Sequence, residues 1–263
     1  MSKTSLTLET LVASLGQDVS TLAERMNLQS DAVIVNQGET NTYEEYEHRG
    51  SRIRAYTFAE RGVGLSRNNA LLRAKGDICL FSDEDIVYEE GYADRVLEAF
   101  EKRPHADMLL FNMNVDEDRA TYHTEKEHRV RFYNSGRYPT YSFAIRREKL
   151  HKANVTFSLL FGGGARYSNG EDSLFLLDCL KKGLRVYALP ICLGKEVHRP
   201  STWFHGYTET FFFDRGVLYF HLYGGFRHLF ALRFLLAHRK TMCRDIPVKE
   251  AYRLMCEGMK EAK

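Results

Sequence analysis

The sequence predicts an α/β fold, a mostly parallel central sheet flanked by helices, followed by a helical extension. Short β-branched or apolar runs alternate with helix-period stretches through most of the chain, the order that a parallel sheet with crossover helices requires. Acidic residues gather just after those runs, at the strand ends where open α/β sheets bind ligands. The chain has 263 residues, 44% hydrophobic and 27% charged. A chain of that length can remove roughly three quarters of its unfolded surface from water, which suits one such domain with an appendage. This composition excludes disorder and collagen-like repeats.

Leu6 to Leu15 reads as a first strand and Val19 to Met26 as a helix. Asp31-Ala-Val-Ile-Val-Asn36 is a β-branched run, and Arg52 to Phe58 alternates enough to be a further strand. A helix is expected from about Ser66 to Lys75, with Ser66 as N-cap and Gly76 as its stop. Ile78-Cys-Leu-Phe81 follows as a buried strand, then a helix from about Gly91 to Lys102 and a strand over Met108 to Asn112. Phe161-Gly-Gly-Gly164 and Tyr167-Ser-Asn-Gly-Glu-Asp172 precede a helix from Ser173 to Lys182, which Gly183 ends, and Arg185 to Pro190 is strand-like again. The first unit spans residues 1–205 and the helical extension 206–263.

Lys and Arg number 37 against 35 Asp and Glu, a net +2, which argues against a nucleic-acid partner because such proteins concentrate a basic excess on one face. The cysteines, Cys79, Cys179, Cys192, Cys243 and Cys256, are odd in number and carry no C-x-x-C spacing. They read as reduced residues of a cytoplasmic protein. Met1 to Leu15 lacks the unbroken apolar run of a signal peptide, and no uncharged stretch is long enough for a spanning helix.

From Lys195 onward there are twelve Lys/Arg against seven Asp/Glu, together with five of the ten histidines and the aromatic cluster Phe211, Phe212, Phe213, Tyr219, Phe220, Tyr223, Phe226, Phe230 and Phe234. Aromatic and basic residues together suit a helix lying in an anionic lipid interface, here the inner face of the plasma membrane. They equally suit a helical hairpin packed on the preceding domain or on a second subunit, as in an oligomer.

The strand Ile78 to Phe81 runs into Ser82-Asp83-Glu84-Asp85. Adjacent acids repel unless a cation separates them, so this cluster reads either as a Mg²⁺ or Mn²⁺ site bridging a diphosphate or as a solvated acidic turn. Glu171 and Asp172 open a helix that is apolar nearly all round; they are either first-turn caps or carboxylates fixed beside the ligand edge, placed for general-base work.

Arg61-Gly-Val-Gly-Leu-Ser-Arg-Asn68, Ala74-Lys-Gly-Asp77, the buried strand, Asp83-Glu-Asp85 and Gly170-Glu-Asp172 come in an order that resembles the family-2 glycosyltransferases of bacterial polysaccharide biosynthesis, whose fold is GT-A. The resemblance spans about Leu6 to Pro200. Two departures stand out: the first strand lacks the family's "P-x-Y-N" ending, and Asn36-Gln37 stands where an Asp that reads the nucleotide base is common.

The resemblance implies an inverting, metal-dependent transfer of sugar from a nucleotide-diphosphate sugar to a hydroxyl of a glycan or lipid-linked acceptor. It implies Asp85 as direct metal ligand and Asp83 toward the ribose or a metal-bound water, within a nucleotide-sugar site of Asn36, Gln37, Arg67, Asp83, Glu84 and Asp85. Asp172 would be the base with Glu171 assisting, and His198 a further metal or diphosphate contact. On the acceptor side Gly163 and Gly164 would allow close backbone approach, and Trp203 would stack on a sugar ring. Arg67 equally suits a surface helix, His198 a hydrogen-bonded structural position, Trp203 an aromatic anchor and the glycines a tight turn. A non-catalytic sugar-nucleotide scaffold and a nucleotidyltransferase are the rival readings. A dead scaffold has no chemical need for both Asp85 and Asp172, and Leu15-Gly-Gln-Asp18 lacks the basic residue of a nucleotidyltransferase loop.

Overall fold

The computed structural model describes residues 6–116, 122–197 and 206–263. Strands β1 (Leu8–Leu15), β2 (Asp31–Gln37) and β5 (Ile78–Asp83) form where the apolar runs predict them, and all but their ends are buried. Between them lie α1 (Val19–Arg25), the hairpin β3 (Thr42–His48) and β4 (Ser51–Phe58), and α2 (Val63–Arg73). Beyond β5 come β6 (Ile86–Tyr88), α3 (Tyr92–Glu101), β7 (Met108–Asn114), β8 (His128–Arg129), β9 (Phe143–Arg146), α4 (Arg147–Ala153), α5 (Glu171–Lys181) and β10 (Val186–Glu196).

The sheet runs β3-β4-β2-β1-β5-β9-β7-β10-β6, with β8 on β10. Strands β4, β2, β1 and β5 are mutually parallel, as are β7 and β10. Strand β9 runs antiparallel between β5 and β7, joining the two parallel blocks. The expected α/β architecture is present, and its antiparallel members are the short or exposed strands. One large apolar cluster lies on each face: Leu22, Val96, Phe100 and Phe111 belong to one, Leu71, Phe81, Phe157 and Phe175 to the other.

Two helix starts differ from expectation. Helix α2 begins at Val63, after Gly62 at φ 126°. Ser66 is therefore no N-cap; it is buried inside the helix and donates to the Val35 carbonyl at 3.0 Å, fastening α2 to β2. Helix α5 begins at Glu171, so both acids belong to its first turn. The expected stop at Gly76 is pinned from below: buried Glu9 on β1 accepts the Gly76 N–H at 2.9 Å and pairs with buried Arg54 at 2.6 Å.

Helices α6 (Glu209–Tyr223), α7 (Arg227–Met242) and α8 (Val248–Glu261) complete the chain. Helices α6 and α8 cross closely at two glycines: a Cβ on Gly216 would lie 2.1 Å from the Met255 carbonyl oxygen, and one on Gly258 would lie 2.0 Å from that of Phe213. The tail's aromatics are mainly core. Phe211, Phe212 and Tyr219 are buried, and Phe213, Phe220, Tyr223, Phe230 and Phe234 pack against them, leaving Phe226 exposed. That core also takes in Phe161, Tyr167 and Leu174 from the sheet-bearing unit.

Candidate functional site

The register aligns the carboxyl ends of β1, β2 and β5, with Ala13 opposite Asp83 and Ser14 opposite Asn36. Asp83-Glu84-Asp85 forms the corner between β5 and β6 at this edge. Its three carboxyls do different things. Glu84 turns back to the fold, accepting the Leu15 N–H at 2.6 Å and the Gln17 side-chain amide at 3.1 Å. Asp83 receives Arg67 Nη2 on both oxygens, at 2.9 and 3.3 Å. Asp85 is half-buried; burial, then the neighbouring Asp83 and Glu196 charges, push its carboxyl up to about 7.

Arg67 joins the two acidic motifs. Only 5% exposed, it places its other nitrogen, Nη1, 2.9 Å from Glu171 Oε1, and its guanidinium lies 5.5 Å from the Phe157 ring centre. Burial works against its charge, but Asp83, Glu171 and Asp172 outweigh that cost and hold the guanidinium protonated. Glu171 is thus committed to Arg67, and its Oε2 accepts the Gly170 N–H at 3.1 Å. Asp172, the next residue, is half-buried; desolvation, then Glu171, raise its carboxyl well above the usual range, against the pull of Arg67. Of this pair, Glu171 is the carboxyl bound to Arg67 and Asp172 the one whose charge burial disfavours.

Asn36 and Gln37 lie at the same edge but serve the main chain. Asn36, 4% exposed, accepts from Ser14 Oγ and the Gln17 N–H and donates to the Gln17 carbonyl, while Gln37 accepts the Gly62 N–H at 2.7 Å. The glycine run also faces inward. Gly163 accepts the Val63 N–H at 2.9 Å, and a Cβ on Gly162 would sit 2.7 Å from Glu171 Cδ, so this backbone packs on the Arg67 partner; only Gly164 is exposed. His198 and Trp203 lie outside the described residues.

The structure adds residues that sequence reasoning passed over. Glu196, at the end of β10, and the half-buried Tyr141 share the field of Asp83 and its neighbours: Glu196 acts on Asp85, while burial, then Glu196, push the Tyr141 hydroxyl upward. A strand ending in an acid was the signal for Glu196; none marked Tyr141. Buried Asp214 on α6 accepts both the N–H and the Oγ of Ser168 at 2.9 Å, holding the loop that leads into Glu171. Among the described residues no group of three or more His, Cys, Asp or Glu is arranged to hold a metal ion, and no helix is long and apolar enough to cross a membrane.

Known structures share this architecture. One of S. aureus TarS 1–349 in complex with UDP-GlcNAc is 15% identical, with 91% of this chain and 74% of that chain covered at a TM-score of 0.63. Mannosyltransferase PcManGT from Pyrobaculum calidifontis, in complex with GDP-Man and Mn²⁺, is 13% identical, with 99% and 76% covered at a TM-score of 0.53. At such identities they establish the fold, which is GT-A. No curated protein sequence matches the chain. The model of the glycosyl transferase family 2 matches residues 13–162, more than half of the sequence; with Asp83-Glu84-Asp85 inside that span and bound through Arg67 to Glu171, the chain belongs to glycosyltransferase family 2.

Proposed function

We propose that this chain transfers a sugar, with inversion, from a nucleotide-diphosphate sugar to a hydroxyl of a glycan or lipid-linked acceptor in bacterial surface-polysaccharide synthesis. The observation that carries this reading is the buried Arg67 bridge, which sets the Asp85 corner and Asp172 at one sheet edge.

In this reading Asp172 takes the proton from the acceptor hydroxyl as its oxygen attacks the anomeric carbon. The bond from that carbon to the diphosphate breaks on the opposite face, through an oxocarbenium-like transition state. Glu171 and Arg67 orient the pair. Arg67 spends both terminal nitrogens on carboxylates, which supports a positioning role over direct phosphate contact.

A divalent cation, Mg²⁺ or Mn²⁺, fits the donor chemistry here. Asp85 offers a hard oxygen ligand whose carboxyl is raised first by burial and then by the neighbouring Asp83 and Glu196 charges, and a cation would relieve that part of the field. Asp85 would hold it, with Glu196 nearby, while Asp83 already carries Arg67. Such an ion supplies charge neutralisation on the leaving diphosphate. Glycosyltransferases of this fold solved with UDP-GlcNAc, and with GDP-Man and Mn²⁺, support a nucleotide-sugar donor.

The test is a thermal-shift panel of UDP, GDP, dTDP and CDP with and without Mn²⁺, on wild type and Asp85→Ala. A nucleotide at about a hundred times its Kd stabilises by ~2.7 kcal/mol. A shift that needs both Mn²⁺ and Asp85 identifies the donor class. The absence of any shift would overturn the reading of a nucleotide-sugar site.

A further inference from the structure

We infer that the outer face of α7 docks this enzyme on an anionic lipid surface. Four exposed large apolar side chains belong to α7 or the turn that leads into it: Phe226 at 69%, Leu229 at 65%, Leu232 at 45% and Leu236 at 50% exposed. At ~100° per residue the three leucines fall within about 60° of one another. The opposite side of α7 is its packing face, where Ala231 and Leu235 are buried in the tail core.

Charge defines what the stripe meets. Helix α7 contains no Asp or Glu. Exposed Arg239 flanks the leucines on one side, exposed Arg233 and Lys240 on the other, and Arg244 follows the helix. An apolar strip between rows of cations is complementary to a bilayer whose surface is negative: the leucines enter the acyl boundary while the cations stay at the headgroups. A neutral protein groove would gain from the leucines but would leave both basic rows unanswered. All of the tail's aromatic cluster except Phe226 lies in or against the core; the contact surface is this leucine stripe with Phe226 at its start.

The placement bears on the proposed transfer, and in that respect alone the inference rests on that reading. Helix α7 shares its core with Phe161 and Tyr167, in the loop that ends at Glu171, and Leu159 and Leu160 at the start of that loop are exposed. A bilayer under α7 would hold this chain at the surface in which a lipid-linked acceptor resides.

The test uses the full chain and sedimentation with phosphatidylcholine vesicles, with or without phosphatidylglycerol. Wild type should pellet with the anionic vesicles only, and less as salt rises. Leu232→Glu/Leu236→Glu and, separately, Arg233→Glu/Arg239→Glu/Lys240→Glu should each lower binding tenfold or more. All these side chains are exposed, so an unchanged melting temperature verifies that the variants fold. Wild type remaining in the supernatant, or the leucine variant pelleting like wild type, would overturn the inference. So would a dimer in light scattering that Leu232→Glu/Leu236→Glu dissolves while vesicle binding is absent, since the stripe would then meet a second copy. Vesicle binding needs neither donor nor acceptor, so a protein that pelleted yet shifted with no nucleotide would refute the transferase reading alone.

Discussion

Arg67 reaches carboxylates 16 and 104 residues away in sequence, Asp83 and Glu171, and is nearly sealed from water. A buried cation between two acids contributes little beyond a matched apolar set, but removing it strands both partners. Arg67→Met should therefore cost ~3–5 kcal/mol in urea unfolding, with Arg67→Lys between it and wild type because one ammonium cannot serve both acids in the guanidinium's geometry. Asp172 makes a second prediction, with a sign. Its raised carboxyl means that the folded state holds more protons than the unfolded state above the ordinary carboxylate range. Stability therefore falls as pH rises from about 4 through the folded value. Asp172→Asn should melt with wild type at pH ~4 and be more stable by ~1 kcal/mol or more at pH ~8, while losing transfer by ~10²–10⁴-fold and keeping its nucleotide-induced shift. Loss of that shift in Asp172→Asn would contradict a base that acts on the acceptor.

What could be read from the sequence follows from what each element buries. Strands β1, β2 and β5 are buried on both faces, so their apolar runs announce them. Strand β3, Thr-Tyr-Glu-Glu-Tyr-Glu-His, is an exposed edge whose acids discourage further pairing and hide its strand pattern. Strands β6 and β9 owe their conformation to their neighbours in the sheet and are too short for a periodic signal. The acidic motifs were visible as residue types; that Arg67, Glu84 and Asn36 serve internal bonds was not, because each partner comes from a distant segment. Asp214 shows what such a bond does for an element. Asp214→Ala would leave two Ser168 donors without their acceptor and cost ~1–3 kcal/mol. It should also loosen the lead into α5, lowering kcat for transfer while the KM for donor stays near wild type. At the α6–α8 crossing, Gly216→Ala has no room, since the atom it meets is backbone. The expected loss is ~1–3 kcal/mol, seen as a lower Tm.

For the whole molecule, the change from sheet to helices near residue 206 marks a change of architecture, yet the hydrophobic core runs across it. Phe161, Tyr167 and Leu174 bury themselves against α6 and α8, and a Cβ on Gly170 would collide with Leu218 at 2.6 Å. A chain ending before Thr208 would return those three large side chains to water, at ~1.5–3 kcal/mol each, a large part of the ~5–15 kcal/mol that holds a domain together. It would also remove Asp214 from Ser168. Such a truncation should therefore aggregate or melt far below the full chain and show no nucleotide-induced shift. A truncated protein that melted like the full chain and still bound nucleotide would mean that the helices are an appendage. On the packing described here, the C-terminal helices share one folding unit with α5, so the stripe on α7 proposed to meet lipid and the proposed base Asp172 are held in a single cooperative core.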